Sequence, residues 1–153
     1  MSQSPVFPAR ETPRSFFRHF TRIQTRWNDL DSYGHVNNAR FYTFYDTVIM
    51  HYLQIDGGFD MVRGPLMPFT LENACRFHEG FDFADVIDAG MCVTYLGNSS
   101  VHYALGLYRE GEDALRACGY FVDVFVDSHS HRPQAMSESL RAHLKAASTL
   151  QAA

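Results

Sequence analysis

Apolar residues between positions 41 and 52 recur with the period of an α-helix. They fall at i, i+3, i+4, i+7, i+8 and i+11, and they are Phe41, Phe44, Tyr45, Val48, Ile49 and Tyr52. Such a stripe is typical of a helix that packs one face against an apolar surface. Asn37 or Asn38 can cap its N-terminus, and Gly57 with Gly58 can end it. We therefore predict a helix of about 17 residues, roughly 25 Å long.

The rest of the chain alternates with the period of two that is typical of strands. Residues 15–27 place β-branched and aromatic side chains on one parity, which favours a first strand. Longer segments of the same kind follow at 66–79, 86–96, 99–109 and 114–127, and a short amphipathic helix at 136–147. This order lacks the regular βαβ alternation of a parallel sheet. We therefore predict an α+β fold in which the long helix packs against a mostly antiparallel sheet of five strands.

Composition fits one folded domain. The 153 residues suit a single domain, and 46% hydrophobic with 20% charged residues excludes a disordered chain. Residues 1–14 carry three prolines and are predicted to be a flexible arm, followed by a single domain over 15–147. The net charge of −4 and the dispersed arginines indicate neither a nucleic-acid partner nor a membrane partner.

Targeting signals and cysteines point to the cytoplasm. The N-terminus lacks the apolar segment of a signal peptide, and no run approaches the roughly 18 apolar residues of a membrane span. The three cysteines, Cys75, Cys92 and Cys118, form no Cys-x-x-Cys motif, and their odd number completes no disulfide framework. We predict a cytoplasmic protein with reduced, partly buried thiols.

Histidines do not cluster along the sequence. His129 and His131 have a spacing that could share a metal, but no cysteine or carboxylate set accompanies them, so we expect a solvated loop there. The remaining histidines that we interpret as surface or packing residues are His51, His78, His102 and His143. We expect neither a metal nor a cofactor.

Residues 27–38, WNDLDSYGHVNN, join the first strand to the helix and concentrate polar chemistry. One interpretation is a polar turn that only caps the helix. The other is an active centre for acyl chemistry, in which the free N–H groups of the helix N-terminus hold a carbonyl oxygen while a carboxylate attacks or activates water. The nucleophile elbow Gly-x-Ser-x-Gly, the Walker A loop and the His-Glu-x-x-His motif are absent from the sequence.

From Asp29 to Tyr42 the sequence is DLDSYGHVNNARFY. This segment resembles the Asp-x-Asp-x-x-Gly-His-Val-Asn-Asn signature of the hotdog-fold acyl-CoA thioesterases in the 4-hydroxybenzoyl-CoA thioesterase-like group. The resemblance extends over about residues 17–145. It implies a hotdog fold, a homodimer or homotetramer with active sites at the subunit interface, and cofactor-free hydrolysis of acyl-CoA to a carboxylic acid and CoA.

The resemblance also assigns residues. It implies that Asp31, the second acid of the pair, is the catalytic nucleophile or general base. Some relatives carry a histidine seven positions later, where this chain has Asn38, so no catalytic histidine is expected there. The residues expected to bind substrate or shape its site are His35, Asn37, Asn38 and Tyr42. Backbone N–H groups near residues 37–39, or from the partner subunit, would polarise the carbonyl. An acyl slot between helix and sheet would be lined by Phe41, Tyr42 and Tyr45.

One departure and two alternatives remain. Where many relatives have Tyr-Leu-Lys-Pro-Leu-x-x-Gly-Asp, residues 77–85 read FHEGFDFAD, which leaves substrate preference open. A hydratase or dehydratase acting on acyl thioesters would need a histidine paired with an acid, for which His35 near Asp31 is the candidate. A non-catalytic acyl-binding module is the second alternative.

Overall fold

A computed structural model describes residues 3–149 of the chain. Its main elements in chain order are β1 His19–Gln24, α1 Asn38–Met50, β2 Leu66–Phe77, β3 Val86–Leu96, β4 Ser100–Arg109, β5 Ala117–Asp127 and α2 Glu138–Ala146. The five strands form one antiparallel sheet in the order β1-β3-β4-β5-β2. The predicted α+β architecture is therefore confirmed.

The central helix packs as its apolar stripe predicts. All six stripe residues are buried, and they pack with inward-facing residues of β3 and β4 such as Met91, Tyr103 and Leu105. The 13 residues of α1 continue without a break into a π-helical turn, His51–Asp56, so the helix is two residues longer than expected. Asn37 is the N-cap residue, and Gly57 follows the last turn.

The outer face of the sheet is covered as well. Phe17, Tyr108 and Leu115 belong to a second buried cluster there. The segment before β1 contributes to this cover, because the carbonyl oxygen of Pro8 accepts from Cys118 Sγ at 2.9 Å and that of Thr12 accepts from the Tyr108 hydroxyl at 2.6 Å. These contacts define where the predicted arm docks, while its flexibility stays a prediction. The cover on this face agrees with the burial of β4 on both parities.

Strand β2 forms a long edge of the sheet. It is 12 residues long and pairs only with β5 among the described strands. Three of its apolar side chains are exposed: Phe69, Leu71 and Phe77, with Leu71 at 68%. An unprotected edge of this length is a template for pairing with another strand.

Two predictions concern thiols and membranes. Cys75, Cys92 and Cys118 are free and at least partly buried, as the sequence predicts. Burial raises the pKa of the Cys92 thiol to about 12 and that of Cys118 to about 11, so both are protonated at neutral pH. Within residues 3–149, no helix is both long and apolar enough to cross a bilayer.

Candidate active site

The segment between β1 and α1 folds back on itself as a tight hairpin. The N–H of Asp31 donates to the carbonyl of His35 at 2.9 Å, and the N–H of Asn37 donates to the carbonyl of Asp29 at 2.9 Å. Three residues close the turn, and its last residue, Gly34, has a φ of +81°, a left-handed conformation that favours glycine. The hairpin therefore holds the acidic arm, 29–31, alongside the start of the helix.

Asp29 is the structural member of the acid pair. Its side chain is only 1% exposed, and it accepts from the backbone N–H of Arg26 at 2.7 Å and from the guanidinium of Arg26 at 3.1 Å. Arg40 on the first turn of α1 lies 3.8 Å away. Burial acts to raise the pKa of this carboxyl, but the hydrogen bonds from Arg26 and the charges of Arg26 and Arg40 outweigh burial, so the pKa is lowered. Asp29 thus fastens the hairpin to the helix.

Asp31 is placed differently. Its side chain is partly exposed, and Oδ1 accepts a hydrogen bond from the N–H of Tyr33 at 2.9 Å. Among residues 3–149, Oδ2 has no hydrogen-bond partner and no arginine or lysine forms an ion pair with the carboxylate. One oxygen is therefore held by the turn, and the other is available to a reacting group.

The first turn of α1 leaves one backbone donor unpaired. The N–H of Ala39 donates to Oδ1 of Asn37 at 2.9 Å, and the N–H of Arg40 donates to the carbonyl of Asn37 at 2.9 Å. The N–H of Asn38 has no partner within the described part of the chain. A helix N-terminus carries a partial positive charge, so this donor is suited to an oxygen that gains negative charge.

His35 and Tyr42 are the other residues singled out by the sequence. Nδ1 of His35 lies 2.9 Å from Oδ1 of Asp82, in the segment after β2, and the histidine side chain is 68% exposed. Asp82 is a residue that the motif alone could not identify, because it lies 47 positions further along the chain. Tyr42 is half-buried and packs against the core.

The divergent segment 77–85 forms a wall of the site. The carbonyl of Phe81 accepts from the N–H of Val36 at 2.9 Å, and the ring of Phe41 lies 5.0 Å from that of Phe77. Beside them is a cavity of about 270 Å³, lined by Val36, Asn38, Phe41, Phe77, His78, Glu79 and Gly80. Of the residues predicted to line an acyl slot, Phe41 lines this cavity and Tyr42 does not. Tyr45 does not, because it is fully buried in the core with its hydroxyl 3.5 Å from Cys75 Sγ.

A second acid lies beneath the exposed face of the helix. Asp123 on β5 is 2% exposed, and its Oδ1 has no hydrogen-bond partner among the described residues. Burial raises its pKa, the side chain of Thr70 opposes that effect, and the charge of Asp46 adds to it, giving a pKa of about 6. The sequence indicates this burial, because Asp123 alternates in phase with Phe121 and Phe125, which belong to the core.

Comparisons with solved structures agree with this architecture. The PA5185 protein of Pseudomonas aeruginosa is 41% identical, with 89% of this chain and 95% of that chain covered and a TM-score of 0.86. The gentisyl-coenzyme A thioesterase BH1999 shares the fold at 19% identity, with 82% and 99% covered and a TM-score of 0.73. Slr0204 of Synechocystis, a 1,4-dihydroxy-2-naphthoyl-CoA thioesterase, shares it at 11% identity, with 82% and 94% covered and a TM-score of 0.76.

A search of curated protein sequences gives no match. The family profile of the Thioesterase-like superfamily matches residues 25–144, which include the hairpin, the central helix and strands β2 to β5. The expected hotdog fold is confirmed by the same structures. The hairpin with its two aspartates lies near the start of the matched residues. Because the match spans most of the chain, the chain belongs to the Thioesterase-like superfamily.

Proposed function

We propose that this protein is an acyl-CoA thioesterase in which Asp31 is the catalytic residue. The observation that carries the proposal is that two groups within residues 31–38 have no hydrogen-bond partner among residues 3–149: Oδ2 of Asp31 in the hairpin and the N–H of Asn38 at the start of α1. Acyl transfer needs a nucleophile or base on one side of the carbonyl and a donor on its oxygen.

The chemistry follows from these two groups. The N–H of Asn38, aided by the helix dipole, donates a hydrogen bond to the thioester oxygen and stabilises the negative charge that grows on it. Asp31 either attacks the carbonyl carbon, forming an anhydride that water then hydrolyses, or removes a proton from the attacking water. The C–S bond breaks in both routes, and CoA leaves as a thiolate whose conjugate acid has a pKa of about 8.5. No strong general acid is required for that departure.

The cavity beside Asn38 is the proposed acyl site. Phe41 and Phe77 give it aromatic walls, and His78 and Glu79 lie at its edge. In this proposal Asn37 orients the helix terminus as its cap, His35 stiffens the turn through Asp82, and Tyr42 supports the wall one helical turn beyond Asn38. BH1999 and Slr0204 act on aromatic acyl-CoA thioesters, so aromatic substrates belong in the test panel.

We further propose that the protein works as a homo-oligomer, a dimer or a tetramer, with the active site at the subunit interface. The support is the long β2 edge, which exposes Phe69 and Leu71, together with Phe77, whose ring lies at the wall of the cavity. Pairing of two β2 edges would extend the sheet across both subunits and bring a second chain close to the cavity. Light scattering coupled to size exclusion measures the oligomeric state.

The hydratase alternative loses its main support. It requires the side chain of His35 to act with that of Asp31, whereas Nδ1 of His35 lies 2.9 Å from Asp82 and the hydrogen bond between His35 and Asp31 joins backbone groups. The binding-module alternative is separated from the thioesterase by experiment.

The test is release of free thiol from a panel of aliphatic and aromatic acyl-CoA thioesters, with wild type, Asp31→Asn and Asp127→Asn. Asp127 is the matched control, because it also accepts backbone N–H groups in an exposed turn but lies at the end of β5. We expect thiol release by wild type and Asp127→Asn and its loss in Asp31→Asn. A wild-type protein that binds acyl-CoA yet releases no thiol would instead be an acyl-binding module.

A further inference from the structure

Three potential ligand groups meet at the C-terminal end of the central helix, away from the hairpin. They are His19 at the start of β1 and His51 and Asp56 at the two ends of the π-helical turn. Nδ1 of His19 lies 3.2 Å from Asp56 Oδ2, and Nδ1 of His51 lies 3.9 Å from Asp56 Oδ1. The three ligand atoms all lie within 4.8 Å of one another.

The π-helical turn is what brings His51 and Asp56 together. In a regular α-helix, residues five positions apart are rotated by about 140° around the axis, so they face different directions. A π-helix forms i→i+5 contacts and therefore places such residues one above the other. Isolated π turns within helices are frequent at functional sites. Here the widened turn presents both side chains to His19 on the neighbouring strand.

The spacing suits a small divalent cation. Zinc binds histidine nitrogen and carboxylate oxygen at about 2.0–2.2 Å in tetrahedral geometry, so two of its ligand atoms are about 3.3 Å apart. The His19–Asp56 separation of 3.2 Å already matches this value. The His51–Asp56 separation of 3.9 Å requires a small inward rotation of an exposed side chain.

His51 supplies an independent observation. Its Nδ1 atom is buried and has no hydrogen-bond partner within the described part of the chain. A buried nitrogen without a partner costs free energy, and a bound water or ion would remove that cost. This nitrogen faces the carboxylate of Asp56, and a metal ion between them would satisfy both.

The surroundings fix the orientation of a second ligand. Nε2 of His19 lies 3.1 Å from the hydroxyl of Thr21, the kind of contact that sets which ring nitrogen is free to bind a metal. The rings of His51 and Tyr52 pack against His19 at 5.7 Å and 5.0 Å, and His143 stacks on Tyr52 at 4.0 Å. With these rings packed around it, the His19 side chain is 13% exposed.

We propose that His19, His51 and Asp56 form a zinc site with these three protein ligands and one position open to water. The ion would tie edge strand β1 to the end of the helix, about 20 Å of helix from Asn38, with a water molecule in its fourth position. Its function is therefore independent of the proposed thioester hydrolysis. The two histidines that the sequence pairs by spacing, His129 and His131, are exposed and do not belong to it.

The experiment uses the full-length, metal-stripped protein and two readouts that do not depend on activity. Equilibrium dialysis against zinc, with metal analysis, gives the stoichiometry and affinity, and cobalt substitution reports tetrahedral coordination through its visible absorption. We expect one zinc per chain and a rise in the thermal midpoint of about 5 °C at saturating zinc. In His51→Ala and Asp56→Asn we expect affinity to fall by at least about tenfold.

The control is the double variant His129→Ala with His131→Ala, which should bind zinc like wild type. Folding of each variant is checked by its thermal midpoint in EDTA, and Asp56→Asn preserves shape if His51→Ala does not fold. Absence of stoichiometric binding at about 100 µM free zinc would overturn the proposal. Binding that is unchanged in Asp56→Asn but lost in the double variant would overturn it too.

Discussion

The two ends of the central helix differ in how their polar groups are paired. At the N-terminus, a hairpin and a capping asparagine pair most backbone groups, and Oδ2 of Asp31 and the N–H of Asn38 have no partner among residues 3–149. At the C-terminus the helix itself widens, and the group left over is Nδ1 of His51. Since buried or capped polar groups are normally paired, the unpaired ones mark the positions where a ligand can act.

The largest expected difference between the two ends is in catalysis. Asp31→Asn keeps the hydrogen bond to the Tyr33 N–H but removes the charge, so we expect kcat to fall roughly 10³-fold while acyl-CoA still binds. His51→Ala should leave kcat unchanged. Steady-state thiol release and direct titration with acyl-CoA measure the two quantities. A comparable loss of kcat in both variants would erase the functional contrast between the ends.

Stability should respond most to Asp29. Asp29→Ala removes a buried carboxylate, leaves the N–H of Arg26 without its acceptor and frees Arg40 from the hairpin. We expect a loss of about 3 kcal/mol in the free energy of unfolding, the low end for a buried pair because both arginines still reach water. Urea denaturation measures it. Asp60→Asn, in an exposed turn, is the control and should change stability by less than about 0.5 kcal/mol.

Beside the middle of the helix, the buried carboxyl of Asp123 on β5 introduces a pH dependence of its own. Asp123 has a pKa of about 6, against about 3.9 in an unfolded chain, so the native state binds its proton more tightly. Its contribution to stability is therefore gained as the pH falls from about 6 to about 4 and lost as the pH rises through that range.

The expected size of this effect is about 2 kcal/mol. Urea denaturation between pH 7.5 and pH 4.5 should show it as a difference between wild type and Asp123→Asn, whose amide does not titrate. If the two proteins follow parallel pH curves, the carboxyl of Asp123 does not carry a raised pKa.

Sequence reasoning succeeded where the information is contiguous. The stripe from Phe41 to Tyr52 and the alternation in β3 to β5 report burial directly, because each side chain faces a direction fixed by the local period. The hairpin with Asp31 and Asn38 lies within one short motif, so a resemblance could identify its residues. Their catalytic roles stay predictions until the variants are measured.

The sequence did not predict contacts between residues that are far apart along the chain, and the reason is physical. Asp82 meets His35 from 47 positions away, and His19 meets His51 only because β1 lies beside the end of the helix. The π-helical turn adds a second difficulty, since an α-helical phase assigns His51 and Asp56 to different faces. No periodicity in the chain predicts that change of phase.

The smallest expected effect compares one glycine at each end of the helix. Gly34 precedes α1 with a φ of +81°, and Gly58 follows it with a φ of +65°, and a Cβ on either would meet no atom within 4 Å. Alanine at either position is therefore strained by its backbone alone, at about 1 kcal/mol. Gly80→Ala, with equally open space and an ordinary φ, is the control for stability.

Activity should separate the two glycine variants although their stabilities match. Gly34→Ala distorts the turn whose amide and carbonyl groups fix Asp31, so we expect a loss of roughly tenfold in kcat/KM. Gly58→Ala should leave kcat/KM unchanged, because it lies beyond the last turn of the helix. Equal losses of activity would mean that the hairpin does not position Asp31 more strictly than any other loop, and the functional asymmetry of the helix would then rest on Asp31 alone.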